Sequence, residues 1–97
     1  MLAVCSAVLG EEHPNTASAY TNLAFNLNAQ GKYKGAEDGL RKALAICRRT
    51  LGEEHPQTAL SHNNLATDLH ALGRYAEAED SFRRALAIRR KLLRDAP

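Results

Sequence analysis

At 97 residues the chain is one small domain or a portion of something longer, able to bury roughly 60–65% of its unfolded surface, too little for a large enclosed active site. Hydrophobic residues make up 44% and charged residues 25%, which excludes disorder by composition and a membrane class. Thirteen basic against 11 acidic side chains leave a formal net charge of +2, too even to select nucleic acid or an acidic partner.

The chain opens on an apolar stretch, Met1 to Leu9, in which Leu2-Ala3-Val4-Cys5 superficially matches a bacterial lipidation box. No basic region or apolar run precedes it, so no lipid anchor is expected. Nowhere do the roughly 20 consecutive apolar residues that cross a bilayer occur. Cys5 and Cys47 lack a C-x-x-C or Cys/His pairing, so neither a disulfide framework nor zinc is expected, and a reducing cytoplasm is the default compartment.

Leu9-Gly10-Glu11-Glu12-His13-Pro14 returns unchanged as Leu51-Gly52-Glu53-Glu54-His55-Pro56, a period of 42 residues. Laid over 51–92 without a gap, residues 9–50 match at about 24 of 42 positions, a self-similarity that signals a solenoid or array. Leu2-Ala3-Val4-Cys5 sits where Leu44-Ala45-Ile46-Cys47 sits one period later, so residues 1–8 read as the end of a preceding repeat's second helix. Residues 9–50 and 51–93 are then two full repeats, and 94–97 the shortened start of another.

Within each copy the apolar spacing is helical: Ala17, Tyr20, Ala24 and Leu27 step by three and four, as do Tyr33, Ala36, Leu40, Ala43 and Cys47. Pro14 and Pro56 suit a first helical turn, whose N–H has no partner to lose, and Gly31 and Gly73 suit the position just past a helix end. Helices are therefore predicted near 14–30, 33–49, 56–72 and 74–93, paired as two αα-hairpins. Glu37/Arg41, Asp38/Lys42, Glu79/Arg83 and Asp80/Arg84 place an acid four residues before a base on the second helices. Gly35 and Gly39 fall inside a predicted helix, where close packing is the expected reason for them. A lone hairpin cannot bury its apolar stripe, so neighbouring repeats supply the core, and self-association through open ends is expected.

Asn22-Leu23-Ala24, Leu27, Gly31, Tyr33, Ala36, Leu40 and Ala43, with the matching Asn64-Leu65-Ala66, Leu69, Gly73, Tyr75, Ala78, Phe82 and Ala85, resemble the tetratricopeptide repeat over nearly the whole chain. The 42-residue period, longer than that repeat's usual 34, and the Leu-Gly-Glu-Glu-His-Pro hexapeptide are similar to the kinesin light chain variant. The early first-helix aromatic is Tyr20 in one copy but His62 in the other. The resemblance implies an all-α, right-handed superhelical solenoid of antiparallel helix hairpins. It also implies that first helices line a concave groove holding a protein or peptide segment, with no catalysis and no cofactor. Relatives that clamp a terminal carboxylate place a Lys early on that face; Thr21 and Asn63 stand there instead, so such a clamp is not expected.

At 100° per residue, Ala17, Tyr20, Leu23, Ala24 and Leu27 share one side of the first helix, and Ser18, Thr21, Asn22, Phe25 and Ala29 the other. The second face should look into the groove. Its next-copy equivalents are Leu60, Asn63, Asn64, Thr67 and Ala71, with Asn28 and His70 flanking the two faces. Asn22 and Asn64 are the candidate peptide ligands, because one amide offers both a donor and an acceptor to a peptide unit. Phe25 and Leu60 would add apolar pockets. The alternative is a structural or regulatory scaffold segment that packs on itself or a neighbouring domain with the groove unused.

Other constellations fall short of chemistry. Each Glu-Glu-His supplies one His and the copies are a repeat apart, so the acids are expected to sit before a helix N-terminus and His13 and His55 to help cap it. Ser61-His62 and Cys47 lack a third orienting group. Arg83, Arg90 and Arg94, with Arg84 and Lys91 nearby, make a basic stripe with no interleaved aromatic, so neither nucleic acid nor membrane is expected as partner. Arg89 replaces the Cys5/Cys47 position on the apolar side, where either its stem packs while the guanidinium reaches water or it pairs with an acid of a neighbouring repeat.

Overall fold

A computed structural model describes residues 14–95, which form four α-helices and, among those residues, no strand. They are α1, Pro14–Ala29; α2, Tyr33–Thr50; α3, Pro56–Ala71; and α4, Tyr75–Asp95. All boundaries fall within two residues of the periodicity reading. The expected leading helix over 1–8, the segment Leu9–His13 with its capping His13, Cys5, and Ala96-Pro97 lie outside the described residues.

The turns explain why the helices stop where they do. Gly31 (φ 78°) and Gly73 (φ 81°) both adopt the left-handed conformation that only glycine takes without strain. At the first, Gly31 N–H donates to Asn28 C=O at 2.9 Å and Lys32 N–H to Leu27 C=O at 2.8 Å; at the second, Gly73 donates to His70 at 3.0 Å and Arg74 to Leu69 at 2.9 Å. These are two copies of one C-terminal helix closure, and each satisfies carbonyls that the helix end leaves open. Three-residue connections hold α1 against α2 and α3 against α4 as antiparallel hairpins, and α2 packs on α3 to join them. Before α3, His55 Nδ1 accepts from Gln57 N–H at 3.0 Å, the capping role expected of it. The buried Thr58 hydroxyl donates to Gly52 C=O at 2.7 Å and pins the inter-hairpin turn.

Ala24, Ala36, Leu40, Leu44, Leu65, Leu69 and Ala78 form the main core, drawn from all four helices. A second cluster, Ala17, Ala43, Ile46 and Cys47, carries Tyr20 and Leu51 against it. Leu23 departs from the sequence reading that grouped it with the core face of α1, because it is 43% exposed. Its counterpart Leu65 is buried because α2 of the preceding hairpin covers it; no described helix stands in that place beside Leu23.

The charge on the second helices is largely paired as expected: Glu37 with Arg41 (2.8 Å), Asp38 with Lys42 (3.5 Å), Glu79 with Arg83 (3.2 Å) and Asp80 with Arg84 (3.0 Å). Glu37 also accepts from Arg74 Nη1 at 2.7 Å, and Arg74 forks onto Glu77 at 2.6 and 2.8 Å. The Arg74 hydrogen bond holds the Glu77 carboxyl below its ordinary range. This ion network links α2 to the turn before α4.

The two helical glycines differ in their surroundings. A Cβ at Gly39 would meet the Tyr20 carbonyl oxygen at 3.4 Å and Ala24 Cβ at 3.8 Å, so α1 and α2 approach closely there, while at Gly35 it would meet only the Leu27 side chain at 3.4 Å. Gly35→Ala should stabilise the chain by about 0.5–1 kcal/mol through helix propensity. Gly39→Val should instead destabilise it by about 1–3 kcal/mol, by overpacking against a backbone carbonyl that cannot yield. Urea unfolding followed by circular dichroism distinguishes the two signs.

Candidate functional site

α2 divides sharply into an apolar and a charged face, but α1 is far less divided, since it is covered on one side and keeps Phe25 on the other. Along α1, Ser18, Thr21, Asn22 and Phe25 recur every three to four residues; along α3, Gln57, Leu60, Ser61 and Asn64 do the same. The two rows line one cleft of about 360 Å³, together with Ala17 and Cys47. Phe25 is 51% and Leu60 42% exposed, so the cleft offers open apolar surface beside polar groups. Among its lining residues there is no Asp, Glu, Lys or Arg.

Ser18, Thr21, Asn22, Phe25, Leu60 and Asn64, all singled out from the sequence, are thus brought together. Thr21 spends its hydroxyl proton on Ala17 C=O at 3.0 Å and Thr67 its own on Asn63 C=O at 3.1 Å, leaving both oxygens as acceptors. Four further candidates, Asn28, Asn63, Thr67 and His70, do not line this cleft. His70 instead meets the Tyr75 ring edge-on at 4.9 Å, in a separate trough beside α4. Asn28 is half-buried, with its Oδ1 enclosed and lacking a hydrogen-bond partner among the described residues.

Sequence reasoning missed Gln57, Ser61 and Cys47. The first two were legible, since 57, 60, 61 and 64 share one helical spacing. Cys47, a free thiol, comes from a different helix and accepts from Ser61 Oγ at 3.6 Å, so no pattern within one segment could place it there.

Two buried titratable groups lie on α3. Asp68 is fully buried, neither carboxylate oxygen has a hydrogen-bond partner among the described residues, and its pKa is pushed up to about 6. Burial is the main cause, the nearby Glu37 charge adds to it, and Arg74 partly opposes it. His62, also buried, is held below its ordinary value by desolvation and then by the charges of Arg48 and Arg84.

The Glu53-Glu54-His55 segment is engaged structurally: Glu53 accepts from Arg48 at 2.7 Å, Glu54 pairs with Lys91 at 2.6 Å, and His55 accepts from Gln57 N–H to cap α3. Of the basic stripe, Arg83, Arg84 and Lys91 each sit on an acid. Arg89 is exposed. No helix among the described residues is long and apolar enough to cross a membrane.

A family model, the tetratricopeptide repeat, matches residues 16–91, spanning all but the first two residues of α1 through most of α4. The chain belongs to the tetratricopeptide repeat family. Repeats of this family generally mediate protein–protein interactions and are typically non-enzymatic. No characterised protein gives a significant match to the chain.

Proposed function

We propose that this tetratricopeptide chain is a cytoplasmic peptide-binding module, two repeats of a right-handed superhelix spanning 9–50 and 51–93, of the kinesin light chain-like variety. The observation that supports the reading is the uncharged cleft lined by Asn22 and Asn64 together with Phe25 and Leu60. An extended segment can exchange paired hydrogen bonds with the amides while an apolar side chain enters between the two hydrophobes. The lack of lining charge favours a neutral segment whose affinity depends little on salt.

The test compares wild type with Asn22→Ala/Asn64→Ala, matched for helicity and oligomeric state, in affinity capture from source-cell lysate read by mass spectrometry. A protein retained by wild type and lost by the variant supports the groove and supplies the partner. For that partner, the double substitution should weaken binding by roughly 1–3 kcal/mol, two hydrogen bonds' worth. Identical eluates, or unchanged affinity of a partner retained by both, sink the groove reading and leave the scaffold role.

A further inference from the structure

Three side-chain oxygens are enclosed without a hydrogen-bond partner among the described residues: Asn28 Oδ1 and both carboxylate oxygens of Asp68. All three are acceptors as long as Asp68 is ionised, and a native fold rarely leaves buried acceptors without a donor. They belong to the two helices that line the cleft, Asn28 one residue before the end of α1 and Asp68 three before the end of α3.

Packing against α2 sets their level. That helix runs antiparallel to both: a Cβ on Gly39 would meet Tyr20 and Ala24 and one on Gly35 would meet Leu27, while Cys47 accepts from Ser61 and Glu37 from Arg74. α1 and α3 are therefore parallel. Leu40 shares one core with Ala24, Leu65 and Leu69. One turn further along α2, the Glu37 charge acts on Asp68, and Gly35 is level with Leu27, the neighbour of Asn28. Asn28 and Asp68 thus come to the same level, one helical turn beyond Phe25 and Asn64 of the cleft.

A carboxylic acid donates one O–H and an amide oxygen accepts it, so a single proton supplies the donor that Asn28 lacks and discharges the buried carboxylate in the same step. We propose that Asp68 is a proton site shared with Asn28: in mildly acidic solution its O–H donates to Asn28 Oδ1, clasping α1 to α3 and narrowing the cleft, and loss of the proton releases the clasp. Among the charged groups around it, Glu37 of α2 favours the proton and Arg74 ahead of α4 opposes it, Arg41 and Glu77 are paired with those two, and α1 has no charged residue. Burial is the largest influence, and together they put the midpoint at about 6. The clasp stands on the two helices alone; a pH-dependent grip on a bound segment rests in addition on the groove reading above.

NMR of the free chain between pH 8 and 4, which needs no ligand, tests the proposal. The Asp68 carboxyl should titrate at about 6, and Asn28→Leu, which takes the acceptor away while keeping water out, should weaken proton binding about tenfold. The backbone amide resonances of Phe25 and Asn64 should move with the wild-type Asp68 midpoint and lose that movement in Asp68→Asn, whose side-chain N–H donates at every pH. An Asp68 midpoint at the ordinary 3.8 in wild type, a midpoint unchanged or raised in Asn28→Leu at matched helicity, or cleft resonances that titrate alike with and without Asp68 overturns it. None of these readouts involves a partner, so failure of the groove reading in lysate capture leaves the clasp standing.

Discussion

Leu40→Ala should lower the unfolding free energy by about 2–5 kcal/mol, a large part of what a domain this small possesses. Leu40 is fully buried at the joint of α2 with α3, where Ala24, Leu65 and Leu69 join it in the same core, so truncation leaves a cavity that rigid neighbouring helices cannot close. Phe82 occupies the same repeat position on α4 but is 38% exposed, having no following helix on its open side among the described residues. Phe82→Ala, measured below the concentration at which copies associate, should therefore cost clearly less than Leu40→Ala although it removes a larger side chain. Leu93→Ala, at a site 78% exposed, should fall within about 0.5 kcal/mol of wild type. Urea denaturation monitored by circular dichroism gives all three. Equal losses at positions 40 and 82 would mean that repeat stacking is not what makes the core.

Asp68→Asn should stabilise the chain at pH 7.5 by about 1–3 kcal/mol, unusual for a substitution at a fully buried site. The carboxylate accepts no hydrogen bond among the described residues, and its folded pKa of about 6 lies above the ordinary 3.8. Folding therefore disfavours the ionised form, so the penalty is full above pH 6 and disappears as pH falls from about 6 towards 4, worth about 3 kcal/mol in all. His62 acts in the opposite sense: its pKa is lowered on folding, so stability present above 6.5 is lost as pH falls below that value. In wild type the two trends offset each other between pH 7 and 5. With Asp68 replaced, the His62 loss should stand alone, and Tm should fall steadily over that window. Thermal melts at pH 7.5, 6 and 5 check this, and a variant less stable than wild type at pH 7.5 would show that the carboxylate is compensated after all.

What the sequence disclosed follows from what is local. Gly31 and Gly73 close helices through their own φ, Pro56 opens one, and the acid–base pairs of α2 and α4 span one turn, so periodicity alone located them. The cleft was half legible for the same reason: helical spacing put Ser18, Thr21, Asn22 and Phe25 on one face of α1, but the opposing row depends on how α3 crosses it. Leu23 misled because its burial depends on a neighbouring repeat rather than on its own helix. His70 was drawn away by Tyr75, which arrives only after the chain turns. Asp68 carried a signal that went unread, since residues 61, 65, 68 and 72 share a helical stripe that is otherwise small or apolar. Its burial depends on packing around α3, and that burial, with a smaller push from the Glu37 charge of α2, is what raises its pKa.

The extensive helix–helix contacts join only helices adjacent in the chain: α1 with α2, α2 with α3, α3 with α4. Among the described residues, a load applied along such a molecule passes mainly through those joints in series, shared between non-adjacent helices by the exposed Arg41–Glu77 pair of α2 and α4. Each helix can then peel from its neighbour separately, giving a compliant, stepwise extension in place of one abrupt rupture, and because the extensive pairings are local, a peeled helix finds its place again without a search through the rest of the fold.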